Sequence, residues 1–337
     1  MVAGPVVAVL TTALALLAAW ASGVPLRDPD HVVGLRLLLV IGLVIVLVGL
    51  DIVVRARGRC EKRIPSRRAL QSVRRERWTR RRWAIVGSAL VSFYLTYLAY
   101  RNLKSVLPVL RPGDLFDRQL AEADRALFGG HDPAALMHEA LGTAVTTEVL
   151  SVVYVLFLLF VPISVALALV FSPDLRRGLF YATAISINWV LGAASYFLLP
   201  SLGPIYATPG GFADLPGTAA SELQRLLLYE RLEFLYDPAA SDAAQSIAGF
   251  ASLHISIVFT AAVAAHLLGL GRPVRIALWV LLALTTASTI HLGWHYVVDD
   301  LGGLVLGVAA VGLALRLTGL KPSGSPAIRA RAEAGAA

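Results

Sequence analysis

Residues 274–316 read VRIALWVLLALTTASTIHLGWHYVVDDLGGLVLGVAAVGLALR. Two apolar runs, 274–292 and 296–316, enclose a polar knot made of Ser288, Thr289, His291, His295 and Asp299. Each run has the length of roughly 20 residues that a helix needs to cross hydrocarbon. Ionisable side chains are expensive in such surroundings, so the knot is a candidate functional site.

The rest of the chain has the same character. Of 337 residues, 57% are hydrophobic and 15% charged, and the mean hydropathy is +0.71. Average soluble domains carry about 25% charged residues. A soluble enzyme, a disordered chain and a secreted disulfide scaffold are excluded. Further apolar runs fall at 2–22, 32–54, 83–107, 147–171, 177–199 and 252–269. The expected fold is all-α, a polytopic membrane protein of about eight transmembrane helices. The single cysteine, Cys60, rules out an intrachain disulfide and a Cys-based metal centre.

The charge is localised. Residues 55–82 hold thirteen Lys/Arg and two acids, a net +11 against +8 for the whole chain. A basic block between two apolar spans reads as a cytoplasmic loop beside anionic lipid, and nucleic acid is not an expected partner. Arginines at 176, 275 and 316 mark further cytoplasmic segments, so both termini lie inside. Residues 23–31, 108–146, 200–251 and 292–296 then face outward, at the plasma membrane. The expected organisation is two N-terminal spans (1–54), a basic linker (55–82), a membrane domain (83–316) and a disordered tail (317–337). Amphipathic helices are expected near 114–128 and 219–236, at headgroup level or lidding a cavity. One side of the first carries Leu115, Phe116, Leu120, Ala123 and Leu127, and one side of the second Leu223, Leu226, Leu227 and Leu235.

On this topology the polar residues of the spans gather at the outer face. Ser252 and His254 open the sixth span, Lys104 and Arg111 close the third, and Pro200 to Tyr206 follow the fifth. If the last helix begins early enough, His295 and Asp299 share a helical face, four residues apart. The carboxylate then fixes the ring tautomer and leaves the other nitrogen as nucleophile or base. His254 can protonate a leaving group. Ser252 is a good N-cap, and a helix N-terminus with free N–H groups suits a phosphate. Lys104 and Arg111 would supply positive charge. A rival reading takes His291, His295 and Asp299, at i, i+4 and i+8, as a zinc site, although no H-E-x-x-H motif is present. Another takes the buried His and Asp groups as the proton relay of a transporter or flippase, without the internal repeats such proteins often show. A catalytically dead scaffold is a third.

These residues resemble the motifs of the type 2 phosphatidic acid phosphatase superfamily, which are K-x6-R-P, P-S-G-H and S-R-x5-H-x3-D. Here they read Lys104-x6-Arg111-Pro112, Ala251-Ser252-Leu253-His254 and Ser288-Thr289-x5-His295-x3-Asp299. Leu253 and Thr289 depart from the general pattern. They make the chain similar to inositol phosphorylceramide synthases, whose F-P-S-L-H and T-x-x-L-x-x-H-Y-x-x-D it approaches at Phe250–His254 and Thr289–Asp299. Pro200–Tyr206 resembles a degenerate Pro-Pro-Trp-Tyr loop of that branch.

The resemblance implies attack on phosphorus by His295, orientation of its ring by Asp299, and acid–base work by His254. Lys104, Arg111 and Ser252 would hold phosphoryl oxygens. His291, Tyr206 and Thr289 are possible substrate contacts. No metal or other cofactor is implied. The expected substrate is a membrane lipid phosphate or phosphodiester. The acceptor is water in a phosphatase, or a small alcohol or lipid in an inositolphosphotransferase-like enzyme.

Overall fold

In the computed structural model, residues 3–29, 37–59 and 64–321 are described, and they form helices and connections with no strand. Cys60 and residues 322–337, most of the expected disordered tail, lie outside the described residues. The helices are α1 (Ala3–Ser22), α2 (Leu37–Arg57), α3 (Arg67–Arg77), α4 (Arg80–Leu110), α5 (Asp117–Leu127), α6 (Pro133–Leu141) and α7 (Ala144–Phe171). They continue with α8 (Leu175–Leu198), α9 (Pro204–Ala207), α10 (Ala219–Tyr236), α11 (Leu253–Leu267), α12 (Arg272–His291) and α13 (Val297–Thr318).

Seven of these (α1, α2, α4, α7, α8, α12 and α13) are long and apolar enough to cross a membrane. The protein is a polytopic helical membrane protein. The remaining expected span, α11, has only 15 residues, about 22 Å at 1.5 Å per residue. Its surroundings explain the shortness. Ile255, Ile257, Val258, Ala262 and Ala264 are all buried among α8, α12 and α13. A helix packed in protein is not held to the thickness of the hydrocarbon. Helix α8 is the other central element, while α1 and α2 present Leu14, Leu17, Leu38 and Ile45 outward.

Apolar side chains gain little from leaving lipid for a membrane-protein interior, so close backbone approach matters more. Gly303 and Gly307 give α13 that approach to α11. A Cβ on Gly303 would strike the Ser252 carbonyl, and one on Gly307 would lie 2.7 Å from the Phe259 ring. The Ser252 N–H donates to the Asp299 carbonyl (2.9 Å). The N-termini of α11 and α13 are thereby locked side by side.

At the opposite end of the bundle, the basic segment contains a helix of its own, α3, capped by Ser66. The carboxylate of Asp51, 1% exposed, accepts from Arg55 Nε (2.7 Å), Arg77 Nε (2.7 Å) and Trp78 Nε1 (3.0 Å). Arg55, Arg77 and Arg82 also donate to the carbonyls of Val170, Phe171 and Ser172 at the C-terminus of α7. Guanidinium groups suit these carbonyls, which have no partner within the helix and carry the negative end of its dipole.

Helices α5 and α10 lie across the other end, and their apolar sides are divided between packing and exposure. In α5 the buried stripe is Asp117, Leu120 and Asp124, while Leu115 and Leu127 are exposed. In α10 it is Ala220, Gln224 and Phe234, with Leu223 and Leu227 packed beside Tyr154 and Trp294, while Leu226 and Leu235 are exposed. The reason is that these helices cover loop backbone. Carboxylates and an amide satisfy its N–H and C=O groups where leucines cannot.

Candidate active site

Three loops meet at this end of the bundle. Residues 200–203 follow α8, residues 247–252 precede α11, and residues 292–296 join α12 to α13. Backbone bonds tie them together. Gly249 N–H donates to the Ser201 carbonyl (2.8 Å), and Ile205 N–H donates to the Gly293 carbonyl (2.9 Å). Ser201 Oγ accepts from Phe250 N–H, and Ser195 Oγ accepts from Ala251 N–H. Gly203 adopts φ +98°, and its missing Cβ leaves room for the Trp294 carbonyl.

His295 and His254 come together on this framework. His254 Nδ1 lies 3.0 Å from His295 Nε2, and His295 Nδ1 lies 3.3 Å from Asp299 Oδ2. The conditional expectation of a shared helical face gives way to a capping arrangement. Helix α12 ends at His291 and α13 begins at Val297, so His295 stands in the turn between them. Asp299 reaches it from the first turn of α13, where its Oδ2 also accepts from Tyr296 N–H (3.0 Å). His295 is 5% exposed and Asp299 fully buried. Burial, followed by the charge of Lys104, pushes the His295 imidazole down to about 3. The ring is neutral through the physiological range and keeps one nitrogen lone pair.

Aromatic rings wall the pair. Tyr154 and Phe157 of α7 lie 5.0 and 4.7 Å from His254, and Tyr154 stacks on Trp294 at 4.6 Å. Ser252, fully buried, caps α11 by accepting from Ile255 N–H (3.5 Å). Lys104 approaches from α4. Its ammonium lies 4.9 Å from the centre of the Tyr196 ring, close enough for its charge to act on both imidazoles.

The other predicted residues lie elsewhere. Arg111 forms the C-cap of α4, donating to Asp114 Oδ2 (2.9 Å) and to the Phe197 carbonyl, so the two cations of Lys104-x6-Arg111 have separate partners. Thr289 donates to Asp300 Oδ2 (3.2 Å) rather than facing the imidazoles. Tyr206 donates to the Gln224 carbonyl (3.2 Å) and so fastens α10. His291 turns to the far side of α12, with Nε2 2.8 Å from Thr147 Oγ1 and its ring 4.6 Å from that of His138. The break after His291 also removes the single-face geometry of the zinc reading. Among the described residues no cluster of His, Cys, Asp and Glu forms a metal-binding group.

Several contributors escaped the sequence reading. Asp124 caps α13 from another helix, accepting from Val297 N–H (2.8 Å) and Val298 N–H (2.9 Å). Asp117 accepts from Leu202 N–H (3.0 Å), Gly203 N–H (2.9 Å) and the Tyr296 hydroxyl (3.3 Å). Burial raises both carboxyls above the usual range, against the pull of these donors. Two further cations support the strand of chain leading to Ser252. Arg101 donates to Ser246 Oγ (2.6 Å) and Arg231 to Gln245 Oε1 (3.2 Å). The spacings were available: Asp117 and Asp124 are i and i+7 on α5, and Arg101 lies one turn before Lys104.

An imidazole oriented by a carboxylate, with a second imidazole against its free nitrogen, suits covalent transfer or paired acid–base chemistry. Comparison with known families decides the class. A family model described as the PAP2 superfamily matches residues 118–313, more than half of the chain. The chain therefore belongs to the PAP2 superfamily, and it is a lipid phosphate enzyme of the phosphatase or phosphotransferase type. The matched region runs from α5 to α13 and begins after Lys104 and Arg111. Neither the curated proteins nor the solved structures yield a match.

Proposed function

We propose that the protein is an inositolphosphotransferase-like enzyme, acting on a lipid phosphate or phosphodiester through a phosphohistidine at His295. The observation that carries this reading is the chain of contacts His254 Nδ1–His295 Nε2–ring–His295 Nδ1–Asp299. With Nδ1–H given to Asp299, His295 Nε2 bears the lone pair and accepts from His254 Nδ1–H. The incoming phosphoryl group parts the two rings. His295 Nε2 then forms a bond to phosphorus as the bond to the leaving oxygen breaks, and His254 gives that oxygen its proton. In the second half His254 takes a proton from an acceptor hydroxyl, whose oxygen displaces His295.

Lys104 and the first N–H groups of α11, whose start the buried Ser252 caps, hold the equatorial oxygens, where fixed donors in a water-poor site are most effective. Arg111, spent on Asp114 and Phe197, is left out of this set. Asp299 orients the ring and stabilises its charged form. The substrate enters with its headgroup at the loops and its tails in the bilayer, on the outward side if the arginine-rich segments are cytoplasmic. Phosphatase activity, with water as acceptor, is the alternative within the same site. The transferase reading is supported by the Ser252-Leu253-His254 and His295-Tyr296-x-x-Asp299 patterns.

The test uses purified protein in lipid nanodiscs with a panel of phospholipids and polyprenyl phosphates. Phosphate release and headgroup exchange onto myo-inositol or glycerol are each followed beside His295→Ala. Exchange without release, lost in the variant, is expected. His295-dependent release without exchange would make the protein a phosphatase. Full activity in His295→Ala would remove His295 as nucleophile.

A further inference from the structure

The end of the bundle remote from the imidazoles holds a second concentration of charge. A cavity of about 360 Å³ opens there, lined by Arg55, Arg59, Val73, Glu76, Arg77 and Arg82. It lies about 33 Å from Lys104, since Arg82 and Lys104 are twenty-two residues apart on the same helix. It is therefore independent of the reaction site.

The charges around it do not cancel. Four guanidinium groups meet two carboxylates. Asp51 is behind the cavity and is engaged by Arg55, Arg77 and Trp78. Glu76 faces the cavity and pairs with Arg59 (2.8 Å). The α7 carbonyls take up part of the remainder, but two positive charges have no acidic counterpart among the described residues. Arg82 is 8% exposed, and its buried Nε has no hydrogen-bond partner, although its Nη2 bonds the Val170 and Ser172 carbonyls. Buried donors are rarely left unpaired, and this one belongs to a side chain that lines the cavity, where a surplus of guanidinium groups suits an anion.

Arg55 lies in the last turn of α2, just after Leu50, Val53 and Val54, which are 43–55% exposed. An anion there has an apolar helix face running away from it, as a phosphate joined to acyl chains requires. We propose that the Arg55–Arg59–Arg77–Arg82 cavity is a binding site for a phosphate anion, supplied by a phospholipid headgroup of the leaflet opposite the imidazoles. Free phosphate has the same chemistry and is separated from lipid by experiment.

The full chain is prepared in phosphatidylcholine nanodiscs with or without phosphatidylglycerol, and separately in detergent with inorganic phosphate. Lipids retained by the protein are counted by native mass spectrometry, and the unfolding temperature is recorded. Two single variants have opposite expected effects. Arg59→Gln removes a half-exposed cation and should lower anionic-lipid retention several-fold. Glu76→Gln removes the acid facing the cavity and should raise retention. Neither residue belongs to the reaction site, so turnover of a substrate lipid should be unchanged in both. Stabilisation by phosphatidylglycerol but not inorganic phosphate supports a lipid occupant. Equal stabilisation by inorganic phosphate would replace the lipid with the free anion. Equal retention in both variants and the unmodified protein, or the same direction of change in both, would overturn the site.

Discussion

The two ends of the bundle place buried acids in contrasting company. At one end Asp51 is met by two guanidinium groups and an indole, so its charge is answered directly. At the other, Asp117 and Asp124 are answered chiefly by backbone N–H groups, and Asp299 by one N–H and a neutral imidazole. The first arrangement fastens helices together. The second holds loops in place while leaving His295 uncharged, with its Nε2 3.0 Å from His254 Nδ1. The difference teaches that a buried carboxylate alone does not identify a reaction site. What it is paired with does.

The sharpest test of this contrast sets His295→Ala against Arg77→Ala. Loss of the proposed nucleophile should lower turnover by about 10⁴-fold or more, with the unfolding midpoint little changed. Arg77→Ala should do the reverse. Breaking a buried pair costs about 3–5 kcal/mol, while turnover per folded molecule stays near the unmodified value. Stability measured by thermal unfolding and turnover normalised to folded protein separate the two. Equal losses of both properties in both variants would erase the distinction.

Asp124→Asn tests whether the distant cap positions the α13 terminus. It should lower kcat by about 10²-fold, the cost of a misplacement near 1 Å, with KM less affected. A KM effect alone would place Asp124 in substrate binding instead.

A pH titration of stability distinguishes the ends further. Unfolded His295 binds a proton near its ordinary 6.5, whereas the folded ring resists protonation until about 3. Through that window the unfolded state holds more protons, so stability falls as pH falls. His295→Gln should flatten this component, measured by denaturant unfolding at fixed pH steps.

The smallest effect is expected at Arg111. Its partner Asp114 is exposed, and exposed pairs contribute about 0.2–1 kcal/mol. Arg111→Gln should change kcat/KM by less than about 5-fold, against a large loss for Lys104→Gln. Comparable losses would return Arg111 to the phosphate-binding set.

Much of this was legible in the sequence. Apolar run length gave the seven long spans, because hydrocarbon imposes a nearly fixed length on a helix. The motif spacing around His254, His295 and Asp299 selected residues that the fold brings within hydrogen-bond distance. Other features depend on tertiary packing. The length of α11 is relaxed by its protein surroundings. The inward turn of Asp117, Asp124 and Gln224 on α5 and α10 depends on the polar loop backbone that these helices cover. The different destinations of Lys104 and Arg111 follow from the end of α4, which seven-residue spacing alone does not reveal. The Gly303-x-x-x-Gly307 pattern was visible, but its partner, the Ser252 carbonyl, was not.

The Asp124 cap has a consequence for biogenesis. Its two donors are separated from it by 173 and 174 residues of chain. During synthesis Asp124 emerges before α7, α8, α11 and α12, yet its partners arrive only with the last membrane helix. A nascent chain stopped short of α13 leaves this carboxylate with no helix terminus to receive it, and the turn at residues 292–296 without the helix that follows it. Completion of the last helix thus closes the reaction site and the fold together, so truncated chains should accumulate as inactive, protease-sensitive intermediates.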